Sequence, residues 1–260
     1  MTKPKAIFFD FDDTLLTHGK LTKFGEEALI YAKEKGALIF AATGRHKSEI
    51  KHILRELPVS FDGYVTMNGS YCYIDDTVIH KKLMHKEPIS MMLDFVTQTS
   101  HSCMFFEPDK SYVINPTDEI VASLASYNLS VPPISGPEQI LHADICKIFV
   151  LKVQADDFVR QLPHTNLTSW GGGYYDICPE GVNKWTGILP VLDYLGLTPQ
   201  ETAAIGDYDN DIEMLQGAGF AVAMGNAPDR VKAHANYVTG HIDDGGALEA
   251  VKWLLGFTPE

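Results

Sequence analysis

No CxxC pair occurs in the chain, and its four cysteines, Cys72, Cys103, Cys146 and Cys178, are scattered within or beside apolar, strand-like segments. That spacing favours buried free thiols over a disulfide scaffold or a zinc site. The ten histidines show no HExxH-type spacing and read as surface or core residues. Long apolar runs are also missing. The run that follows two N-terminal lysines stops after four residues at Asp10, too short for a signal peptide, and no stretch approaches a membrane-spanning length. A cytoplasmic location is expected. Positive charge is scarce, with 21 Lys and Arg against 34 Asp and Glu and a formal net charge of -13. A field of that sign repels polyanions, so neither nucleic acid nor an anionic membrane is expected as a partner. A small anion remains admissible where the site is locally positive.

What is present is ample core material: 260 residues, 45% of them hydrophobic. That is enough for one large domain or two smaller ones. The segments "AIFFD", "GALIFAATG" and "TAAIGD" are near-continuous apolar runs, as expected of parallel strands covered on both faces. Helix-like stretches follow each: "KFGEEALIYAKEKG" with Gly36 as its stop, "SEIKHILRELP" ended by Pro58, and "DIEMLQGAG". A strand "FAVAMG", a helix "APDRVKAHA", a short "YVT" and a helix "GALEAVKWLLG" complete the pattern. Alternating strands and helices imply an α/β doubly wound parallel sheet.

The middle of the chain differs. From about His85 helices mix with hairpins: "ISMMLDFVTQT", "CMFFE", "SYVIN", "DEIVASLASY", a Pro/Gly-rich break "VPPISGPEQ", "DICKIFVL", "ADDFVRQL", then "NLTSW" and "YYDIC" joined by Gly171, Gly172 and Gly173. This predicts an inserted α+β module on an antiparallel sheet. The expected organisation is a core over residues 1–83 and 183–260, with the insert over 84–182.

Ligands of open α/β sheets bind beyond the carboxyl ends of the strands. One strand here ends in Asp10, Asp12, Asp13 and Thr14, a second in Thr43, Gly44 and Arg45, and a third in Asp207, Asp209, Asn210 and Asp211. Carboxylates from two strands meeting at one rim, without histidine or cysteine, form an all-oxygen set suited to Mg²⁺. A hydroxyl and a glycine at a helix start, with Arg45 adjacent, suit an anion, most simply phosphate. Taken alone, each motif has an ordinary reading: an acidic turn, a strand leading into a helix, a solvated lysine, a helix N-cap. Together and in order they do not.

The chain resembles the haloacid dehalogenase-like (HAD) hydrolases, specifically the Cof-type sugar phosphatases. The resemblance rests on "DFDDT", on Thr43 in "ATGR", on Lys184 in "GVNKWTGI" and on "GDYDNDIEML", with supporting matches at "MNGS" (Asn68, Gly69) and "DDGGALEAV". Asp13 stands where that family most often has glycine. The resemblance implies a HAD Rossmann-like core with an inserted cap, and a Mg²⁺-dependent phosphatase acting on a small phosphorylated metabolite. It implies that Asp10 is the nucleophile and a metal ligand, and that Asp12 is the acid/base and, through its carbonyl, a metal ligand. Asp207 would ligate the metal and Asp211 support it through water. The main-chain donors of Phe11 and Gly44, with Thr43, Lys184 and Asn210, would surround the phosphoryl group. Arg45 and Asn68 would face the cap and leaving group. Asp12 is expected to be the freer of the two acids to carry a proton. The alternatives are a phosphotransferase or phosphomutase on the same motifs, and a weakly active phosphometabolite-binding regulator.

Overall fold

The computed structural model describes residues 3–127, 129–151, 156–170 and 172–256. Gly171 of the expected hairpin turn and Ala155 of the expected helix lie outside the described residues. Two large sheets organise the chain. The eight-stranded sheet runs, edge to edge, Tyr237–Val238, Phe220–Ala223, Thr202–Gly206, Ala6–Phe9, Leu38–Ala42, Gly63–Thr66, Tyr71–Ile74 and Thr77–Lys81. Its first six strands are parallel and the last two antiparallel.

Strand Ala6–Phe9 lies at the centre with all four side chains fully buried, which explains its unbroken apolar run. Ile7 and Phe9 pack with Ala28, Leu29 and Ala32 of helix Lys23–Glu34 and with Ala247, Ala250 and Val251 of helix Gly246–Gly256. Ala6 and Phe8 face the other way, onto Ile188, Val191 and Leu192 of helix Lys184–Leu195. Alternate side chains thus meet helices on both faces, and each of the six parallel strands aims its carboxyl end at the same rim.

The second sheet is antiparallel: Thr165–Ser169, Tyr175–Pro179, Lys147–Val150, Cys103–Phe106 and Ser111–Ile114. Helices Lys86–Thr99 and Pro137–His142 cover one face, burying Ile89, Met92, Val96 and Ile140. The other face turns to the first sheet, where Met104, Phe106 and Val113 meet Met67, Tyr71 and Tyr73. The architecture is therefore the expected α/β core and antiparallel module. Among the described residues no helix is long and apolar enough to cross a membrane. All four cysteines are buried and free, and burial pushes the Cys146 and Cys178 thiols up to about 12, so they stay protonated.

Two features depart from expectation. The parallel sheet gains an antiparallel edge from Tyr71–Ile74 and Thr77–Lys81, because the chain reverses at once after Thr66 through Met67–Gly69, and again through Asp75, whose φ is +49°, instead of crossing over by a helix. The Pro/Gly-rich break contains helix Pro137–His142, with Pro137 in the first turn, where its fixed φ suits a helix start and its missing N–H costs nothing.

The turn after Gly63–Thr66 is the most constrained segment. Met67, Asn68 and Gly69 have φ of +51°, +53° and +98°. A Cβ on Gly69 would collide with the Asn183 carbonyl, and one on Gly187 would meet the Gly69 Cα at 2.5 Å. Helix Lys184–Leu195 thus packs backbone to backbone on this turn, which sets its N-terminus at the rim. Gly187→Ala is expected to destabilise the fold by about 1–3 kcal/mol through this overpacking. A lowered urea midpoint with unchanged slope would register it, and an unmoved midpoint would reject the close packing.

Candidate active site

Asp10 follows strand Ala6–Phe9, and its amide donates to the Ile205 carbonyl at 2.9 Å, extending the pairing past the strand end. The chain then turns sharply: the Phe11 carbonyl accepts from the amides of Thr14, Leu15 and Leu16. Phe11 itself is a core side chain, 1% exposed, so only its backbone can serve the rim. Asp13 has φ of +56°, the left-handed conformation that explains why a glycine suits this position.

Lys184, the first residue of its helix, is completely buried. Its ammonium donates to Asp10 Oδ1 and to Asp211 Oδ1, each at 2.6 Å. The other oxygen of Asp211 accepts from the amides of Asp207 and Tyr208 at 2.9 and 3.0 Å, so this carboxylate ties Lys184 to the loop that carries Asp207. Asp207 Oδ1 accepts from the Thr14 hydroxyl at 2.9 Å. Asp10, Asp207 and Asp211 each offer an oxygen within 4.8 Å of the others, and all three are buried. Burial, then the neighbouring carboxylates, pushes Asp207 up to about 9. Burial likewise pushes Asp10 up to about 7 against the opposing pull of Lys184. Three acids around one ammonium lack a compensating positive charge. An all-oxygen set in that state fits a hard divalent cation such as Mg²⁺.

Across the rim, Thr43 is 1% exposed, and its hydroxyl accepts from the Arg45 amide at 3.1 Å. The Asn68 amide donates to the Thr43 carbonyl at 3.1 Å, and the Asn210 side-chain amide donates to Asn68 Oδ1 at 3.0 Å. Gly44 sits beneath that pair, where a Cβ would press on Asn68 Oδ1 at 3.0 Å. The residues singled out at the three strand ends therefore converge with Lys184 and Asn68 on one rim. A cleft of about 180 Å³ opens beside Lys184 and Asn210, walled on the far side by Asn166 and Thr168 of the second sheet. A larger surface depression of about 530 Å³ near Phe24, Tyr237 and Trp253 contains none of these rim residues and is lined instead by Asp244, Gly245, Leu248 and Glu249 of "DDGGALEAV".

Asp12 differs from expectation. Its carboxylate is not free but forked by Arg45, with Nε and Nη2 each donating at 2.7 Å. Arg45 is 8% exposed, and its remaining nitrogen, Nη1, is buried without a hydrogen-bond partner among the described residues. Tyr127 of the second domain lies against the guanidinium, 5.6 Å from ring centroid to Cζ.

Sequence reasoning missed two site residues. Lys147 and Asp176, from adjacent strands of the second sheet, form a 3.0 Å ion pair that is nine-tenths buried or more. Lys147 also donates to the Gly44 carbonyl at 2.7 Å, and Asn68 Nδ2 donates to Asp176 Oδ2 at 3.0 Å. The available signal was a single charge inside each of two otherwise apolar strands, "CKIFV" and "YYDIC".

The family model for haloacid dehalogenase-like hydrolases matches residues 7–251. The chain therefore belongs to the haloacid dehalogenase-like hydrolase family and is an enzyme of that class. It is 29% identical over 261 residues to 5-amino-6-(5-phospho-D-ribitylamino)uracil phosphatase YcsE of Bacillus subtilis, covering 96% of each chain. It is 28% identical over 257 residues to the pyridoxal phosphate phosphatase YbhA of Escherichia coli, covering 91% of this chain and 93% of that one. The solved structure of BT4131, described as a HAD subclass IIB sugar phosphatase, superposes with a TM-score of 0.86 at 32% identity, covering 96% and 98%.

The raised carboxyls have a consequence for stability. The unfolded chain releases these protons near the ordinary value of 3.8, whereas the folded, metal-free chain holds them to about 7 on Asp10 and about 9 on Asp207. Their contribution to stability is therefore present at acid pH and lost as pH rises through those values. A bound divalent cation offsets the loss, so the rise in Tm produced by saturating Mg²⁺ should grow from about pH 5 to about pH 8. A calorimetric series in which that increment shrinks or stays flat would contradict the triad as a cation site.

Proposed function

We propose that the protein is a Mg²⁺-dependent phosphatase that hydrolyses phosphate monoesters of small metabolites through an aspartyl-phosphate. The observation that carries this reading is the buried contact of Lys184 with Asp10 and Asp211 beside Asp207, facing Thr43 and Gly44 across the rim. The phosphatases among the relatives support the substrate class.

Asp10 attacks phosphorus and displaces the alcohol, splitting one hard displacement into two easier ones. Lys184 holds the Asp10 carboxylate in place and donates toward the transferring group, joined by the Thr43 hydroxyl, the amides of Phe11 and Gly44, and Asn210. Such a cradle works by positioning and charge neutralisation. Asp12 protonates the leaving oxygen and then takes a proton from the water that cleaves the acyl phosphate. Its side chain is 42% exposed, at the mouth of the site, where a proton can be exchanged with solvent. Asp10, the Asp12 carbonyl and Asp207 would hold the cation, with Asp211 in support through water, and the bound ion would supply charge neutralisation at the phosphoryl group. An aspartate at position 12 suits phosphate-ester hydrolysis, in which both steps need a proton carrier, better than dehalogenation. The expected partner is a small phosphorylated metabolite, with neither nucleic acid nor membrane involved.

Asp10→Asn should lower phosphate release by about three orders of magnitude or more, because an amide neither attacks phosphorus nor ligates a hard cation well. Chelation should abolish the wild-type activity and added Mg²⁺ restore it. Near-normal turnover by the variant, or activity indifferent to chelator, would reject the mechanism.

A further inference from the structure

The eight-stranded sheet ends on one side at Thr77–Lys81, whose outer edge pairs with no other strand among the described residues. Residues 75–78, Lys81 and Lys82 are all exposed. Val78, opposite the buried Tyr73 in the register, is 51% exposed. Helix Lys184–Leu195 packs against this strand. On that helix Tyr194, 58% exposed, stands about two turns beyond Gly187, on the stripe where the Gly187 carbonyl accepts from the Cys72 thiol at 3.3 Å. A strand edge with exposed apolar side chains beside it is a template for a further strand, and lysines and bulges are the usual means of blunting it. Both are present, as Lys81 with Lys82 and as a register shift between Cys72 and Tyr73.

The charges are nevertheless not spread along the edge. The segment "DDTVIHKK", residues 75–82, opens with Asp75 and Asp76 and closes with Lys81 and Lys82, with His80 the one titratable side chain between them. A parallel copy of this strand would set acid on acid and base on base, whereas an antiparallel copy sets each end against its opposite. A strand of one charge sign from another protein would suit one end and be repelled by the other. With a net charge of -13, the protein repels its own copy at long range, so a surface for self-association must supply local attraction. This edge supplies it twice, because a two-fold axis repeats the contact at both ends.

We propose that the protein self-associates through this edge, two copies pairing their Thr77–Lys81 strands antiparallel about a two-fold axis to form one continuous sheet. Asp75 and Asp76 of each copy meet Lys81 and Lys82 of the other, and the exposed Val78 and Tyr194 of both copies flank the joint. Thr77–Lys81 runs in the same direction as Gly63–Thr66, so its basic end lies toward the rim and its acidic end toward the foot of the sheet. Antiparallel pairing then sets the rim of one copy beside the foot of the other, and the two clefts open at opposite ends of the dimer. A short strand edge buries little area, so the association is reversible and depends on protein concentration.

Sedimentation velocity over a concentration series tests this with two variants at exposed positions outside the active site, Asp76→Lys and Lys82→Glu. Lys81 is left intact because it also reaches Asp144 of the second domain at 3.3 Å. Wild-type protein should pass from monomer to dimer as concentration rises. Each substitution turns both symmetry-related contacts from attraction toward repulsion and should weaken the dimer by about tenfold or more. An equimolar mixture of the two variants should recover the wild-type association, since every contact between unlike copies again joins lysine to acid. Thermal midpoints equal to that of the wild type verify that both variants are folded. Wild-type protein that stays monomeric throughout the series overturns the proposal. So does a variant that dimerises as strongly as the wild type, which would place the interface elsewhere, and so does a mixture no more associated than its separate components.

Discussion

Three buried carboxylates, Asp10, Asp207 and Asp211, face one buried ammonium, Lys184, and much of the architecture exists to hold them there. Such a cluster repels itself, and no surface turn would keep it together. The central strand brings Asp10 to the rim because its four preceding residues are locked between two helical layers. The neighbouring strand brings Asp207 in parallel register, and Gly206 leaves the space that Asp211 fills, since a Cβ there would collide with its carboxyl. Helix Lys184–Leu195 can deliver its first residue only because Gly187 and Gly69 let two backbones touch. Stability and function thus pull in opposite directions at this point, and the hydrophobic core on both faces of the sheet is what tolerates the conflict.

The seam between the two sheets has a graded character. Its middle is apolar, with Met67, Tyr71 and Tyr73 against Met104, Phe106 and Val113. Its rim side is polar, through the Lys147 and Asp176 contacts, and its outer edges are pinned by rings. Trp170 stacks on Tyr208 of the "GDYDNDIEML" loop at 5.3 Å, and Arg230 holds Asp209 of that loop through two hydrogen bonds. On the opposite edge, His46 is buried, and burial lowers its proton affinity, so it stays neutral. Its Nδ1 accepts from the Ser48 amide, which leaves Nε2 to donate to the Glu107 carbonyl of the second domain at 2.8 Å. The contacts across this seam are thus divided between an apolar middle and separate polar and aromatic side chains along its edges.

What the sequence made legible follows from how each feature is encoded. Parallel strands buried on both faces read as unbroken apolar runs, so "AIFF", "LIFAA" and "TAAIG" announced themselves, and the rim residues after them came along by position. The strands Tyr71–Ile74 and Thr77–Lys81 did not, because an edge hairpin carries a mixed pattern and needs no crossover helix to mark it. Lys184 was legible by motif, but its complete burial was not: only the structure brings Asp10 and Asp211, 174 and 27 residues away, into contact with it. Lys147 and Asp176 were hidden for the same reason. A lone charge in an apolar strand becomes meaningful only when a second strand, and then a second domain, sets its partner opposite.

Asp10 and Asp12 show how one turn can give two chemically identical groups different environments. Two residues apart, they point to opposite sides of the rim. Asp10 is 6% exposed and held by Lys184 among other acids, a setting that suits the positioned, desolvated nucleophile proposed for it. The Asp12 side chain is 42% exposed and forked by Arg45, whose planar guanidinium matches both carboxylate oxygens and fixes their orientation toward the mouth. The proton-carrying role proposed for Asp12 needs contact with solvent and a fixed direction more than it needs burial. Arg45 supplies the direction, while its Nη1 has no hydrogen-bond partner among the described residues. The division of labour between the two aspartates is therefore set less by their own chemistry than by which cation each side of the turn presents.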